Sequence, residues 1–276
     1  MKILQNKTKI LDNAKISEGY YKITLQAPLI SRIAQPGQFI TLRISDNYRP
    51  LLRRPFSIHS VRSKNLEGAG RIEVLYEVVG PGTELLSQKE PGDYLDVLGP
   101  LGRGFSMFDT RYSILVGGGM GIAPLYFLAQ RLIAGNTPAS SAGRQYARRN
   151  TVILIGAKTK KELLCQKGFA NLGCGVRIST DDGSEGFKGR VTDLLRIILR
   201  ARHATERTTI YACGPKAMLY CVSLIAGRQN IAAEVSLEEY MACGLGVCAG
   251  CEVKTKQGYQ SVCKHGPVFD SRFIKW

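Results

Sequence analysis

Hydrophobic and polar positions change rhythm along the 276 residues. Up to about residue 108 the apolar positions come in short, partly alternating, β-branched runs. Ile23-Thr24-Leu25, Phe39-Ile40-Thr41-Leu42-Arg43-Ile44 and Ile72 through Val79 are examples. An alternation of period two marks strands with one buried face. Pro36-Gly37, Pro81-Gly82 and Pro91-Gly92 punctuate these runs as turns. The region therefore predicts short antiparallel strands closing into a small barrel or sandwich. Leu98-Gly99-Pro100-Leu101-Gly102-Arg103-Gly104-Phe105 reads as a flexible, glycine-rich hinge at its end.

From Tyr112 the apolar runs become continuous and alternate with helical stretches. Tyr112 to Val116 predicts a buried strand, Gly117 to Gly121 a glycine turn, and Pro124 the opening of a helix. Three more strand-to-helix units follow on Thr151–Gly156, Val176–Thr180 and Thr209–Pro215, with Val191–Leu199 as one of the helical patterns. Such alternation predicts a doubly wound parallel sheet, whose ligands sit at the carboxyl ends of the strands. Gly117 to Gly121, Thr180-Asp181-Asp182-Gly183 and Cys213-Gly214-Pro215 all fall at such ends and outline one crevice. The glycines admit a dinucleotide to the backbone, although Pro124 stands where the standard fingerprint has its third glycine.

Near the end of the chain the rhythm breaks into Cys243-Gly244-Leu245-Gly246-Val247-Cys248-Ala249-Gly250-Cys251, answered after eleven residues by Cys263. C-x4-C-x2-C followed by a distant fourth cysteine is the plant-type spacing for a [2Fe–2S] cluster. Gly244, Gly246 and Gly250 allow the left-handed turns and close approach that aim backbone N–H groups at an anionic cluster. Four thiols also fit a structural zinc, although zinc sites usually pair cysteines in two short knuckles, or disulfides, which need an oxidising compartment. The pattern as a whole predicts a multi-domain α+β protein: an antiparallel β-barrel at 1–108, an α/β domain at 109–232 and a cluster-binding segment at 233–276.

Composition adds limits. No apolar run approaches the roughly 18 residues that span a bilayer, and the first residues lack a signal-peptide core. A tight cysteine quartet fits a cytoplasmic protein. The net charge of +16 suggests an acidic partner, nucleic acid or an anionic surface, but no helix-turn-helix or RNA-binding signature accompanies it. The stretch 136–150, with Arg144, Arg148 and Arg149, reads as a basic surface loop. Lys158, Lys160 and Lys161 fit either a 2′-phosphate contact or a solvated helix start. Cys165, Cys174 and Cys221 have no metal-like spacing, and His59, His203 and His265 are isolated.

Two motifs in the β region bear on anions. Arg53-Arg54-Pro55-Phe56-Ser57-Ile58 pairs a guanidinium fork with a short hydroxyl, though an edge strand with a solvated arginine explains it equally well. Gly80-Pro81-Gly82-Thr83 leads into Glu84-Leu85-Leu86 as a glycine-rich helix start, or as a plain capped turn.

Together, in this order, R-P-F-S, G-G-G-x-G-x-x-P, C-G-P and the cysteine segment resemble the ferredoxin–NADP reductase superfamily. The closer resemblance is to the electron-transfer subunits of class 1B dihydroorotate dehydrogenases, through Glu234 to Gly244 and Val262 to Phe269. The resemblance implies FAD on Arg54, Pro55, Phe56 and Ser57, on Leu75, Tyr76 and Glu77, and on Gly82 and Thr83. Phe56 departs from the tyrosine common there. Gly118, Gly119, Gly121, Cys213, Gly214 and Pro215 are implied to face NAD, and Cys243, Cys248, Cys251 and Cys263 to hold the cluster. It further implies a cytoplasmic heterotetramer with an FMN-containing catalytic subunit, two of each, carrying electrons from dihydroorotate to NAD⁺, with neither nucleic acid nor membrane as partner. The small subunit of an NADH-dependent ferredoxin–NADP oxidoreductase or a sulfide-dehydrogenase-like complex is the alternative.

Overall fold

A computed structural model describes residues 3–45, 47, 49–62, 70–108, 110–135, 150–202 and 207–276. Most of the basic loop, with Arg144, Arg148 and Arg149, lies outside the described residues, as does His203. The chain forms two compact units. The first comprises Met1–Gly104, Glu239–Val253 and Gln260–Pro267, the second Phe105–Glu238, Lys254–Tyr259 and Val268–Trp276.

In the first unit, β1 (Leu4–Ser17), β2 (Tyr20–Gln26), β3 (Phe39–Arg43), β4 (Arg54–Ser57), β5 (Ser60–Arg62), β6 (Arg71–Glu77) and β7 (Tyr94–Leu101) make one antiparallel sheet. Its order is β4-β3-β7-β1-β2-β6-β5. β1 pairs with β7 through Leu4–Lys9 and with β2 from Ile10 on, and the register shifts at Ile10/Asp12 where it changes partner. A bulge there bends the strand. Phe56 of β4 meets Tyr76 of β6 edge-on at 5.9 Å, so strands far apart in the hydrogen-bonded order come together and the sheet is rolled. Ile10, Ile23, Leu25, Ile40, Leu42, Ile58, Ile72, Val74 and Val97 fill its core with no exposure. Short helices α1 (Pro28–Ile33) and α2 (Pro81–Ser87) interrupt the sheet.

Half of the expected hinge is strand, because Leu98 to Leu101 are the end of β7. A Cβ at Gly99 would stand 2.7 Å from Cγ2 of Ile40. This glycine serves close packing of β7 on β3, not flexibility.

The second unit contains β8 (Tyr112–Gly118), α3 (Ile122–Gly135), β9 (Thr151–Ala157), α4 (Gln166–Leu172), β10 (Gly175–Thr180), β11 (Phe187–Lys188), α5 (Val191–Arg202), β12 (Thr208–Cys213), α6 (Lys216–Arg228) and β13 (Ala232–Ser236). The sheet order is β11-β10-β9-β8-β12-β13, parallel throughout, with one more strand at the edge. Ser113 to Gly118 are all buried, as a strand covered on both faces must be. Strand order reverses between β8 and β12, the topological switch point at which such sheets bind ligands.

The C-terminal stretch is shared between the units. The boundary expected at 232/233 falls inside β13, and β16 (Val268–Asp270) pairs antiparallel with β13, Glu234 opposite Asp270 and Ser236 opposite Val268. Between them run the cysteine loop, the hairpin of β14 (Glu252–Thr255) and β15 (Gly258–Ser261), and the one-turn α7 (Val262–His265). Among the described residues no helix is long and apolar enough to cross a membrane.

Candidate functional site

The hairpin returns the chain so that Cys263 comes back to Cys251. The Val262 N–H donates to the Cys251 carbonyl at 3.0 Å, and the Cys263 N–H points at Cys251 Sγ at 3.4 Å. Gly246 N–H donates to Cys263 Sγ at 3.0 Å and Leu245 N–H to Cys243 Sγ at 3.3 Å. Left-handed backbone at Gly244, Gly246 and Ala249 (φ 70°, 77° and 55°) turns these N–H groups inward. Ala249 is the unexpected one, since a side chain resists that conformation.

Burial opposes ionisation at Cys243. Backbone N–H groups of Leu245, Cys248 and Val247, with the Cys248 thiol, outweigh it and bring the pKa down to about 6. Cys263 moves the other way, to about 12, through burial and the adjacent Cys251 thiol. Cys248 thus lies beside Cys243, and Cys263 senses Cys251 first and Cys243 as well. Among the described residues no three Cys, His, Asp or Glu side chains converge on one ion position. The donor set and its inward N–H groups therefore fit a [2Fe–2S] cluster.

The cysteine loop lies on β3. A Cβ at Gly244 would sit 3.1 Å from Thr41 Cγ2 and 3.5 Å from Leu101 Cδ1. β3 pairs in turn with β4, the R-P-F-S strand: Leu42 with Arg54, Thr41 with Pro55, Ile40 with Phe56 and Phe39 with Ser57. Opposed residues share a face of the pleat, so Thr41 and Pro55 face one way and Arg54 and Phe56 the other. One ladder carries both motifs. No sequence signal marked Thr41 or this seating.

Neighbouring arginines divide their work. Arg53 is fixed on Asp96, Nη2 to Oδ2 at 2.5 Å. Arg54 lies over the start of α2, where a Cβ at Gly82 would stand 2.8 Å from its Nε, and its Nη1 donates to the Leu52 carbonyl. A guanidinium over a glycine-lined cradle fits a flavin pyrophosphate. The hydroxyls of Thr83 and Tyr76 are both engaged within the protein. Thr83 Oγ1 accepts the N–H groups of Val79 (2.9 Å) and Gly80 (3.2 Å), shaping the loop. Tyr76 is 1% exposed and stacks on Tyr21. Its hydroxyl donates to Asn13 Oδ1 at 2.9 Å, and Asn13 Nδ2 donates to the carbonyls of Leu86 and Lys89 at the end of α2. Burial raises this phenol far above its ordinary value. Tyr76 thus supports α2 from behind. β5 pairs only with Arg71–Glu73 of β6, so Leu75 to Glu77 run beyond it and offer backbone groups to a ligand.

In the second unit the two glycine turns at the switch point touch backbone to backbone. A Cβ at Gly121 would collide with the Cys213 carbonyl, and one at Gly214 (φ 154°) would stand 3.0 Å from Gly118 N and O. The Cβ position of Gly119 (φ 53°) faces open space. Burial raises the Cys213 thiol to about 12, which leaves it unreactive; its contribution is backbone. At the end of β10, Ser184 donates N–H (2.9 Å) and hydroxyl (2.6 Å) to Asp182 Oδ1. These bonds hold the Asp182 pKa below its ordinary value. Lys160 Nζ pairs with Glu185 at 2.9 Å.

Sequence comparison places this geometry. The iron–sulfur cluster binding domain of dihydroorotate dehydrogenase B matches residues 238–275, and an oxidoreductase NAD-binding domain matches 115–223. The dihydroorotate dehydrogenase B (NAD(+)) electron transfer subunit of Desulforamulus reducens is 38% identical over 275 residues, 97% of each chain. The chain belongs to this family of electron transfer subunits. The Geobacillus kaustophilus member is 39% identical over 92% of each chain. Among solved structures, the NADH-dependent reduced ferredoxin–NADP oxidoreductase superposes with a TM-score of 0.79 at 30% identity, covering 98% of this chain and 90% of that one. An oxidoreductase NAD-binding domain followed by a C-terminal cluster-binding segment is the order these family models give.

Proposed function

We propose that this chain takes electrons withdrawn from (S)-dihydroorotate by a separate FMN-containing catalytic subunit and delivers them to NAD⁺, in pyrimidine biosynthesis. The observation that carries this reading is the seating of the four-cysteine loop on β3, the hydrogen-bonded neighbour of the R-P-F-S strand. When bound, the [2Fe–2S] group carries single electrons and FAD exchanges them for the hydride of the nicotinamide.

The protein's own part is holding and placing. Cys243, Cys248, Cys251 and Cys263 hold the cluster, with the N–H groups of Leu245, Gly246 and Cys263 on their sulfurs. Arg54 holds the flavin pyrophosphate in the space that Gly82 leaves open, while Pro55, Phe56, Ser57 and the backbone of Leu75 to Glu77 carry the ring system. Gly118, Gly119, Gly121 and Cys213-Gly214-Pro215 receive the pyridine nucleotide. Asp181, Asp182 and Glu185 gather carboxylates in the turn after β10, and Glu185 neutralises Lys160. This supports NAD over NADP.

Val247 (83% exposed) and Leu245 (42%) stand beside the exposed Cys248 in the loop, and Tyr240 (96%) precedes the loop. An apolar rim beside the most accessible ligand supports docking of the catalytic subunit there, in an assembly of two of each chain. All eight cysteines are free, which fits a cytoplasmic setting.

The likeness to the NADH-dependent ferredoxin–NADP oxidoreductase keeps one alternative in view. The test is reconstitution with the catalytic subunit from the same cell. Dihydroorotate-dependent formation of NADH with matching orotate is expected. Activity only with reduced ferredoxin and NADP⁺ would transfer the chain to the alternative.

A further inference from the structure

Thr41 sits at the centre of β3, 2% exposed, and among the described residues its Oγ1 is buried without a hydrogen-bond partner. A buried hydroxyl left unpaired opposes folding, and valine fills the same volume without that cost. The side chain faces the cysteine loop, its Cγ2 3.1 Å from the Cβ position of Gly244, the residue after Cys243. Phe39, two positions away on the same face, approaches the same point at 3.9 Å.

We propose that the Thr41 hydroxyl, which no cysteine sulfur accepts, donates a hydrogen bond to a sulfide of the cluster and raises its reduction potential, which makes β3 a tuning element as well as a support. The loop already supplies backbone donors to the Cys243, Cys251 and Cys263 sulfurs. Thr41 adds a donor from the barrel side. A hydrogen bond to thiolate or sulfide stabilises the more negative, reduced cluster, so it shifts the one-electron couple upward. A hydroxyl does this as a neutral donor and exchanges no proton.

The inference rests on the cluster reading above, and the experiment separates the two. Thr41→Val and Thr41→Ser are made in the full chain. Iron, labile sulfide and FAD are measured, followed by redox titration of the cluster by electron paramagnetic resonance and of the flavin by absorbance. Both variants should load like wild type. The cluster potential should fall in Thr41→Val and recover in Thr41→Ser, with the FAD potential unmoved. An unchanged cluster potential in a fully loaded Thr41→Val protein overturns the inference, as does a shift confined to FAD. Wild type free of iron and sulfide would overturn the cluster reading itself. The cofactor-free Thr41→Val chain should melt at or above the wild-type temperature; a lower Tm would mean that the hydroxyl has a structural partner and would also overturn the inference.

Discussion

A methyl group at Gly82 would stand 2.8 Å from Arg54 Nε, so the guanidinium owes its place to a missing side chain. Arg54→Ala removes charge-assisted bonds of about 1.5–3 kcal/mol each and should weaken FAD binding about tenfold or more. Gly82→Ala keeps the charge but displaces it, and should weaken FAD in the same direction. Titration of apoprotein with FAD checks both, and wild-type affinity in Gly82→Ala would show that the position of Arg54 is unimportant. Each of Cys243→Ser, Cys248→Ser, Cys251→Ser and Cys263→Ser should lower the content from about two iron and two sulfide per chain, while Cys174→Ser should not. At this scale the cysteine quartet was legible because its spacing marks it. The internal work of Tyr76 and Thr83 was not legible, because only packing reveals that Asn13 and the Val79–Gly80 backbone occupy their hydroxyls.

The link from Tyr76 through Asn13 to the last carbonyls of α2 couples the barrel core to the element beneath Arg54. Asn13→Ala leaves buried groups unpaired, at about 1–3 kcal/mol, and should loosen FAD without touching it. Measured denaturation and FAD titration should therefore move together. In the nucleotide domain, the turn after β10 carries the specificity argument. Asp181→Ala combined with Glu185→Gln removes two carboxylates and releases Lys160, and should raise the NADPH-to-NADH oxidation ratio about tenfold, a change of about 1.4 kcal/mol. An unchanged ratio in a folded variant would move the determinant elsewhere. The parallel strands were readable from their continuous apolar runs. The end of β7 was not, because glycine and proline in Leu98-Gly99-Pro100-Leu101 look like a hinge until Ile40 is seen packed against Gly99. Nor was the role of β16, a three-residue strand too short for any periodicity.

Over the whole molecule, the chain leaves its first unit at Gly104, builds the parallel sheet, and returns at Glu239 to set the cysteine loop on the barrel it began with. Sequence spacing shows which cysteines belong together; it gives no sign that their loop lies on β3, because that register joins residues about two hundred positions apart. The seating has a functional consequence. On the proposed route, hydride exchange with NADH needs only the flavin and nucleotide sites, whereas electrons from the catalytic subunit cross the cysteine loop. The most direct test compares two activities in one preparation of the Cys248→Ser complex, replete in FAD and lacking the cluster. Dihydroorotate-dependent reduction of NAD⁺ should fall by orders of magnitude while NADH oxidation with an artificial dye stays near wild type. An equal fall in both, or retention of both, would contradict the route through Cys243, Cys248, Cys251 and Cys263.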